Sequence, residues 1–276
     1  MIEQQHEGFR YFQFEHFAQH PGVVQAVFSR QGGLSDPPFA SLNTGYSSGD
    51  DRSRVRANRE MLSKVLGHAD WPMATSWIVH GNEAVEVGAE WKADHRELDD
   101  PGPRRRGDAL ITREPELFLL ISYADCLPLL LYDPVQHVAG IAHAGWRGSA
   151  GGMAGEAVAA LARQFGSRPA DVLVGMAPSI GPCCYEVGPD VLEQFERTPQ
   201  IAETAAFLPH VAGRSDRWML DLQETNRRQL LAAGILPEHL EAMPICTSCR
   251  TDLFYSYRRE QRKTGRFAVL VGLNPA

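Results

Sequence analysis

The sequence predicts an α/β (α+β) layered fold, a mixed central sheet flanked by helices, on three observations. Short apolar runs crowd the centre of the chain, three longer segments space their apolar residues helically, and Asp, Pro and Gly punctuate the boundaries. In chain order, Arg52–Gly67 sets Val55, Met61, Leu62, Val65 and Leu66 at roughly helical spacing, with Asp50 or Asp51 as cap and Gly67 as stop. Ser76–Val79 reads as strand-like, and Asp108–Thr112, Leu117–Tyr123, Pro128–Asp133 and Val138–His143 read as adjacent strands. Gly152–Phe165 is the second helix, Val172–Met176 and Trp218–Leu220 are further strands, Asp221–Ala233 is the third helix and Phe267–Val271 the last strand. The charged, Pro/Gly-rich stretch Lys92–Gly107 reads as an exposed loop. No repeat or low-complexity linker divides the chain, so residues 1–276 are expected to form a single domain.

A chain of 276 residues, 43% hydrophobic and 22% charged, can bury a full core. Its formal charge of −7, from 27 basic and 34 acidic residues, offers no electrostatic footprint for nucleic acid or an anionic membrane. A small-molecule partner is favoured. The opening MIEQQHEGFRYFQFEHF has acidic and amide residues where an export signal needs a basic start and an apolar core. The longest apolar runs, Leu117–Ile121 and Leu127–Leu131, fall far short of the ~20 residues that span a bilayer. A cytoplasmic protein is expected. Five cysteines, an odd number, argue for thiols used in packing or metal chemistry rather than a disulfide framework.

Three chemically capable residues fall at predicted strand-to-loop junctions: His80 in Val79-His80-Gly81-Asn82, Cys126 in Tyr123-Ala124-Asp125-Cys126-Leu127-Pro128, and His143 in Ala142-His143-Ala144-Gly145-Trp146-Arg147-Gly148. Such junctions hold side chains on a rigid scaffold while leaving them accessible. Each segment alone is too short to decide, because a lone buried Cys is usually a small hydrophobe and a lone His is seldom a ligand.

Taken with Ser29-Arg30-Gln31-Gly32-Gly33-Leu34-Ser35, Pro38-Phe39-Ala40-Ser41-Leu42-Asn43, residues 178–188 (PSIGPCCYEVG), Cys246-Thr247, Phe254-Tyr255-Ser256-Tyr257-Arg258-Arg259 and Thr264-Gly265-Arg266-Phe267-Ala268, these segments resemble the laccase-domain family. That family is also called purine nucleoside phosphorylase or polyphenol oxidase. The similarity runs from about residue 23 to 272, with one departure, Ile78, where the family usually carries Gln.

The resemblance implies a metal held by two His and one Cys, carried over onto His80, Cys126 and His143, with Zn2+ expected and Cu2+ the alternative. Three protein ligands leave a fourth tetrahedral position open, the pattern of catalytic zinc, where the metal activates water or polarises an oxygen. Arg147 and Arg30 offer planar donor forks suited to phosphate, or else surface ion pairs. Asn43 joins them as an expected substrate-binding residue. Asp125 is read as a base or ligand-steering group, or as a turn cap. The Gly-rich stretch from Gly145 to Gly155 matches neither the P-loop nor the dinucleotide fingerprint and reads as close packing.

Two further patterns compete. His95-Arg96-Glu97 with Cys246-Thr247-Ser248-Cys249 imitates the zinc deaminase signature, but the halves lie about 150 residues apart and Pro244 is one residue out of place. Cys183, Cys184, Cys246 and Cys249 offer four thiolates for a second zinc. Adjacent cysteines are awkward for a tetrahedron, however, so packed thiols near the core are the preferred reading.

The functional expectation is a zinc-dependent purine nucleoside phosphorylase (adenosine, inosine, methylthioadenosine) with adenosine deaminase activity, whose partners are a purine nucleoside and phosphate. Three alternatives stand beside it. One is a copper polyphenol oxidoreductase, for which ten histidines without an H-x-H pair are a poor match. Another is a Cys–His hydrolase editing a cell-wall precursor, with Cys126 as nucleophile and His143 as base. The last is a non-enzymatic metal- or partner-binding protein.

Overall fold

The computed structural model describes residues 1–92, 106–209, 214 and 216–275. With strands numbered along the chain, one six-stranded sheet runs β1 (Ile2–His6), β2 (Phe9–Gln13), β3 (Val23–Phe28), β15 (Phe267–Leu273), β7 (Phe118–Tyr123) and β4 (Met73–Ala74). A second runs β14 (Leu240–Ala242), β10 (Leu173–Met176), β8 (Leu127–Asp133), β9 (Val138–Ala144), β6 (Ala109–Thr112) and β5 (Ala84–Glu86). A small third sheet is built from β11 (Glu186–Val187), β13 (Trp218–Leu220) and β12 (Phe207–Pro209). Both large sheets are mixed, since most pairs are antiparallel while β4–β7, β5–β6 and β10–β14 are parallel.

The alternation along each strand builds the layers. Leu119 and Ile121 of β7, with Val269 and Val271 of β15, meet Leu130 of β8 and Ile141 of β9 between the sheets. Phe118, Leu120, Ala268 and Leu270 point the other way and cover Leu62 of helix α2 (Arg52–Val65). On the far side, Leu129, Leu131 and Ala142 pack under Ala157, Val158 and Leu161 of α4 (Met153–Phe165) and Leu230 of α7 (Leu222–Ala232), which completes a helix–sheet–sheet–helix stack. The helix signals act as read. The Asp51 side chain accepts from the N–H groups of Ser53 and Arg54, and Gly67, at φ +79°, ends the helix where a side chain would be strained.

The layered class holds, while the single central sheet resolves into two. Phe118–Tyr123 is not a neighbour of Leu127–Asp133, because residues 124–126 carry the chain from the first sheet to the second. Both strands are buried on both faces, so their apolar pattern gives no sign of which sheet they join. Ser76–Val79 is no strand. Trp77 makes only an isolated bridge to Arg106, and His80 turns at φ +59°. The short N-terminal strands β1 to β3 have no counterpart in the sequence reading. Most of the predicted loop Lys92–Gly107, including His95 and Glu97, lies outside the described residues. Among the described residues no helix is long and apolar enough to cross a membrane.

Ile141→Ala, which empties part of the space between the sheets, is expected to lower unfolding free energy in urea by about 2–5 kcal/mol. Val135→Ala, on an exposed turn, should stay within about 0.5 kcal/mol of the parent. Equal losses would place the core elsewhere.

Candidate active site and metal centre

A cavity of about 730 Å³ opens at the end of the sandwich where β7 and β9 finish and β6 and β8 begin. His80, Cys126 and His143 all line it. His143 continues the alternation of Ala139 and Ile141 on β9, opposite Pro128 of β8. Cys126 is the last residue of the crossing between sheets. The His80 and His143 rings lie 5.3 Å apart, centre to centre. Gly145 shows how tightly the site closes: a Cβ there would stand 2.9 Å from Cys126 Sγ and 3.4 Å from His143 Cε1.

Asp108, one residue ahead of β6 and fully buried, organises the histidines. Its carboxylate accepts the N–H of His80 at 2.8 Å and of Gly81 at 2.7 Å, fixing the left-handed turn, and its backbone carbonyl accepts the N–H of His143 at 2.7 Å. Asn82 donates to the carbonyl of Gly151 and ties the same loop to the end of α3 (Trp146–Ala150). Sequence reading passed over Asp108 except as a strand start; an Asp flanked by Gly107 and an apolar run was the available signal.

Burial holds His143 down at about 3, with His80 adding repulsion, so its imidazole is neutral at pH 7. Partial desolvation lowers His80 as well, Asp108 opposing and Arg147 reinforcing. Burial pushes the Cys126 thiol up to about 12, and the charge of Asp125 adds to the shift. Two neutral imidazoles and a thiol that needs a cation in order to ionise suit a soft divalent metal. The buried His143 Nδ1 has no hydrogen-bond partner, 3.9 Å from Asp108 Oδ1, so a cation there would satisfy an otherwise costly orphan.

Asp125, at φ +79°, directs its carboxylate into the protein. Oδ1 accepts from Thr247 Oγ1 at 2.7 Å, and Oδ2 from Ser256 Oγ at 3.1 Å and the Arg258 N–H at 2.7 Å. Burial raises its pKa, and these three donors act against the rise. Arg147 reaches the cavity, its guanidinium 4.2 Å from the Trp146 ring centre.

Arg30 and Asn43 do not line it. Arg30 donates to Glu260 Oε1 at 2.9 Å and to the carbonyls of Ala40 and Thr251 while lying on the Tyr255 ring, so its donors are committed away from any phosphate in this cavity. Asn43, fully buried, accepts the N–H groups of Gly45 and Arg266 and donates to Ser48 and Asp50. It shapes the wall without facing the opening. Ile78, the family departure, is a partly buried apolar piece of that wall.

The structure adds what the sequence did not reveal. Arg59, Arg258, Arg262 and Arg266 also line the cavity, with Tyr46, Trp77, Tyr185 and Tyr257. Among the described residues Arg147, Arg258, Arg262 and Arg266 form no salt bridge. A chain of net charge −7 thus gathers cations at one opening.

A family model described as multi-copper polyphenol oxidoreductase laccase matches residues 24–274. The chain belongs to that laccase family. The purine nucleoside phosphorylase YlmD of Geobacillus stearothermophilus is 36% identical over 91% of this chain and 90% of its own length. The purine nucleoside phosphorylase YfiH of Escherichia coli is 32% identical over 92% and 96%. The crystal structure of YlmD from Geobacillus stearothermophilus aligns with a TM-score of 0.87 at 35% identity, covering 99% of both chains.

In this laccase-family chain a second group of ligand atoms stands apart from the cavity trio. Among the described residues, only Cys183, Cys184, Cys246 and Cys249 bring three or more His, Cys, Asp or Glu ligand atoms within 4.8 Å of one another. The expectation of packed thiols near the core holds for Cys184 and Cys246, half-buried against the core, and fails for Cys183 and Cys249, which are exposed. Separate loops converge at this point, which sequence spacing does not express.

Gly145→Ala should push Cys126 and His143 apart and, in a competition titration, weaken the zinc equivalent that Cys126→Ala abolishes while far-UV circular dichroism stays native; unchanged affinity for that equivalent would remove the trio as ligands. A pH effect follows from His143. Unfolded, it binds a proton near 6.5, and folded only near 3. Its contribution is therefore complete above pH 6.5 and is lost as the pH falls toward 3. Metal-free protein should lose up to about 1.4 kcal/mol per pH unit in that window, and His143→Gln should flatten the slope in denaturant titrations.

Proposed function

We propose that this chain is a zinc-dependent purine nucleoside phosphorylase acting on adenosine, inosine or methylthioadenosine, with adenosine deamination as a second activity at the same centre. One observation carries the reading: two imidazoles and a thiol share a cavity with four arginines that form no salt bridge among the described residues. The names of the relatives in Geobacillus stearothermophilus and Escherichia coli support it.

Inorganic phosphate is a small anion whose oxygens match guanidinium forks, and Arg147, Arg258, Arg262 and Arg266 surround a volume large enough for it beside a nucleoside. Trp77 and Tyr257, 46% and 41% exposed, offer ring faces against which a purine can lie. In phosphorolysis a phosphate oxygen attacks the ribose carbon as its bond to the purine nitrogen breaks. The arginines hold the nucleophile in line and offset its charge, which is where positioning and fixed cations lower a barrier. Zinc bound by His80, Cys126 and His143 would polarise an oxygen or activate water at its open position.

The competing readings draw less support. A Cys126 nucleophile with His143 as base needs a thiolate–imidazolium pair, and burial opposes both charges. Laccase-type chemistry needs several coppers, yet among the described residues His80 and His143 are the only histidines that line the cavity.

Chromatography after incubating zinc-loaded protein with adenosine tests the proposal directly. Phosphate-dependent adenine is expected, with inosine formed without phosphate reporting deamination, and both absent in Cys126→Ala. No product in any condition removes the nucleoside reading. Arg147→Ala should raise the KM for phosphate about tenfold or more, in line with a lost charge-assisted hydrogen bond, and an unchanged KM would take Arg147 out of the phosphate site.

A further inference from the structure

The four thiols outside the cavity come from two loops. Cys183 and Cys184 lie on the turn between β10 and β11, where the N–H groups of Cys184 and Tyr185 both donate to the Gly181 carbonyl. Cys246 and Cys249 lie on the turn after β14, where the Cys249 N–H donates to the Cys246 carbonyl. An isolated β-bridge between Ser179 and Cys246 brings the loops together.

The tight turn answers the objection to adjacent cysteines, because it aims both sulfurs at the same point. Cys183 Sγ lies 3.6 Å and Cys184 Sγ 3.5 Å from Cys249 Sγ, with all four sulfurs within 4.8 Å of one another. A disulfide needs about 2.05 Å, whereas a tetrahedron with zinc–sulfur bonds of about 2.3 Å spaces its sulfurs roughly 3.8 Å apart. The spacing fits the tetrahedron. The Gly181 N–H also donates to Cys246 Sγ at 3.2 Å, as a backbone amide does to a thiolate ligand. A Cβ on Gly181 would stand 3.2 Å from the Cys246 Cβ and 3.5 Å from Cys183 Sγ, so the glycine makes room for the cluster.

We propose that Cys183, Cys184, Cys246 and Cys249 bind one zinc ion as a closed tetrathiolate site, separate from the cavity trio and structural in role. Each thiol releases its proton to solvent as its sulfur becomes a ligand. With four protein ligands no position remains for substrate, unlike the three-ligand set in the cavity. The ion ties together the loops that lead to the cavity wall, since Ile180 and Tyr185 flank one cysteine pair and residues 257–262 follow the other. It thereby sets the distance between Tyr185 and the Arg258 guanidinium, now 5.1 Å from that ring.

Zinc content of purified protein tests this independently of the catalytic reading. Cys249→Ser should carry one zinc per chain fewer than the parent, and Cys126→Ala should keep that zinc. If the first variant retains the parent's full content, or the second holds none, the proposal is overturned. Cobalt titration of metal-free Cys126→Ala gives a second reading that does not depend on the folding of Cys249→Ser. One equivalent should produce sulfur-to-cobalt charge-transfer absorption and leave Cys183 and Cys249 unreactive toward a thiol reagent until a chelator is added. Absorption without a thiolate band, or thiols equally reactive before and after chelation, overturns it.

Discussion

The buried carboxylate of Asp125 is the interaction on which the rest of the structure depends. Residues 124–126 cross from one sheet to the other, and Asp125 within the crossing takes a left-handed φ of +79°, uncommon for a non-glycine residue. Three donors from the C-terminal segment meet that carboxylate, and the backbone carbonyl of Asp125 accepts the Ile180 N–H. One side chain therefore joins the crossing, the loop after β14 and the stretch that carries Tyr257, Arg258 and Arg262. Cys126 follows directly and inherits its position. Asp108 does the same on the opposite wall, where it holds His80 and His143 through backbone groups.

The cavity separates charge by depth. Cys126 and His143 are kept neutral by burial, while the exposed Arg147, Arg258 and Arg262 line the same cavity together with aromatic residues. Neutral donors at low dielectric favour a metal ion over a proton-transfer pair, and guanidinium groups near water can hold an anion without the cost of a fully buried charge. The total charge of the chain conceals this arrangement, because among the described residues the cavity lining holds Asp125 as its only carboxylate.

Much of the fold was legible. Arg52–Val65, Met153–Phe165 and Leu222–Ala232 form where apolar spacing and capping residues predict them, and Trp218–Leu220 coincides with its predicted bounds. What failed was adjacency. Phe118–Tyr123 was correctly a strand and wrongly a neighbour of Leu127–Asp133, since strands buried on both faces look alike whichever sheet receives them. The site divides the same way. His80, Cys126, His143 and Arg147 meet in one cavity, while Arg30 and Asn43, drawn from equally well-matched motifs, serve the loops behind it.

By itself, then, the sequence determined the local states and the residue types: which segments are helices or strands, where turns fall, and which motifs carry chemistry. Those depend on propensity, periodicity and capping among residues a few positions apart. Only the tertiary structure decided the partition into two sheets, the gathering of arginines from three separate stretches, Asp108 as the organiser of the histidines, and the meeting of two cysteine pairs some 60 residues apart. Each of these depends on where buried faces find their partners, and that is a property of packing across the whole chain rather than of any window along it.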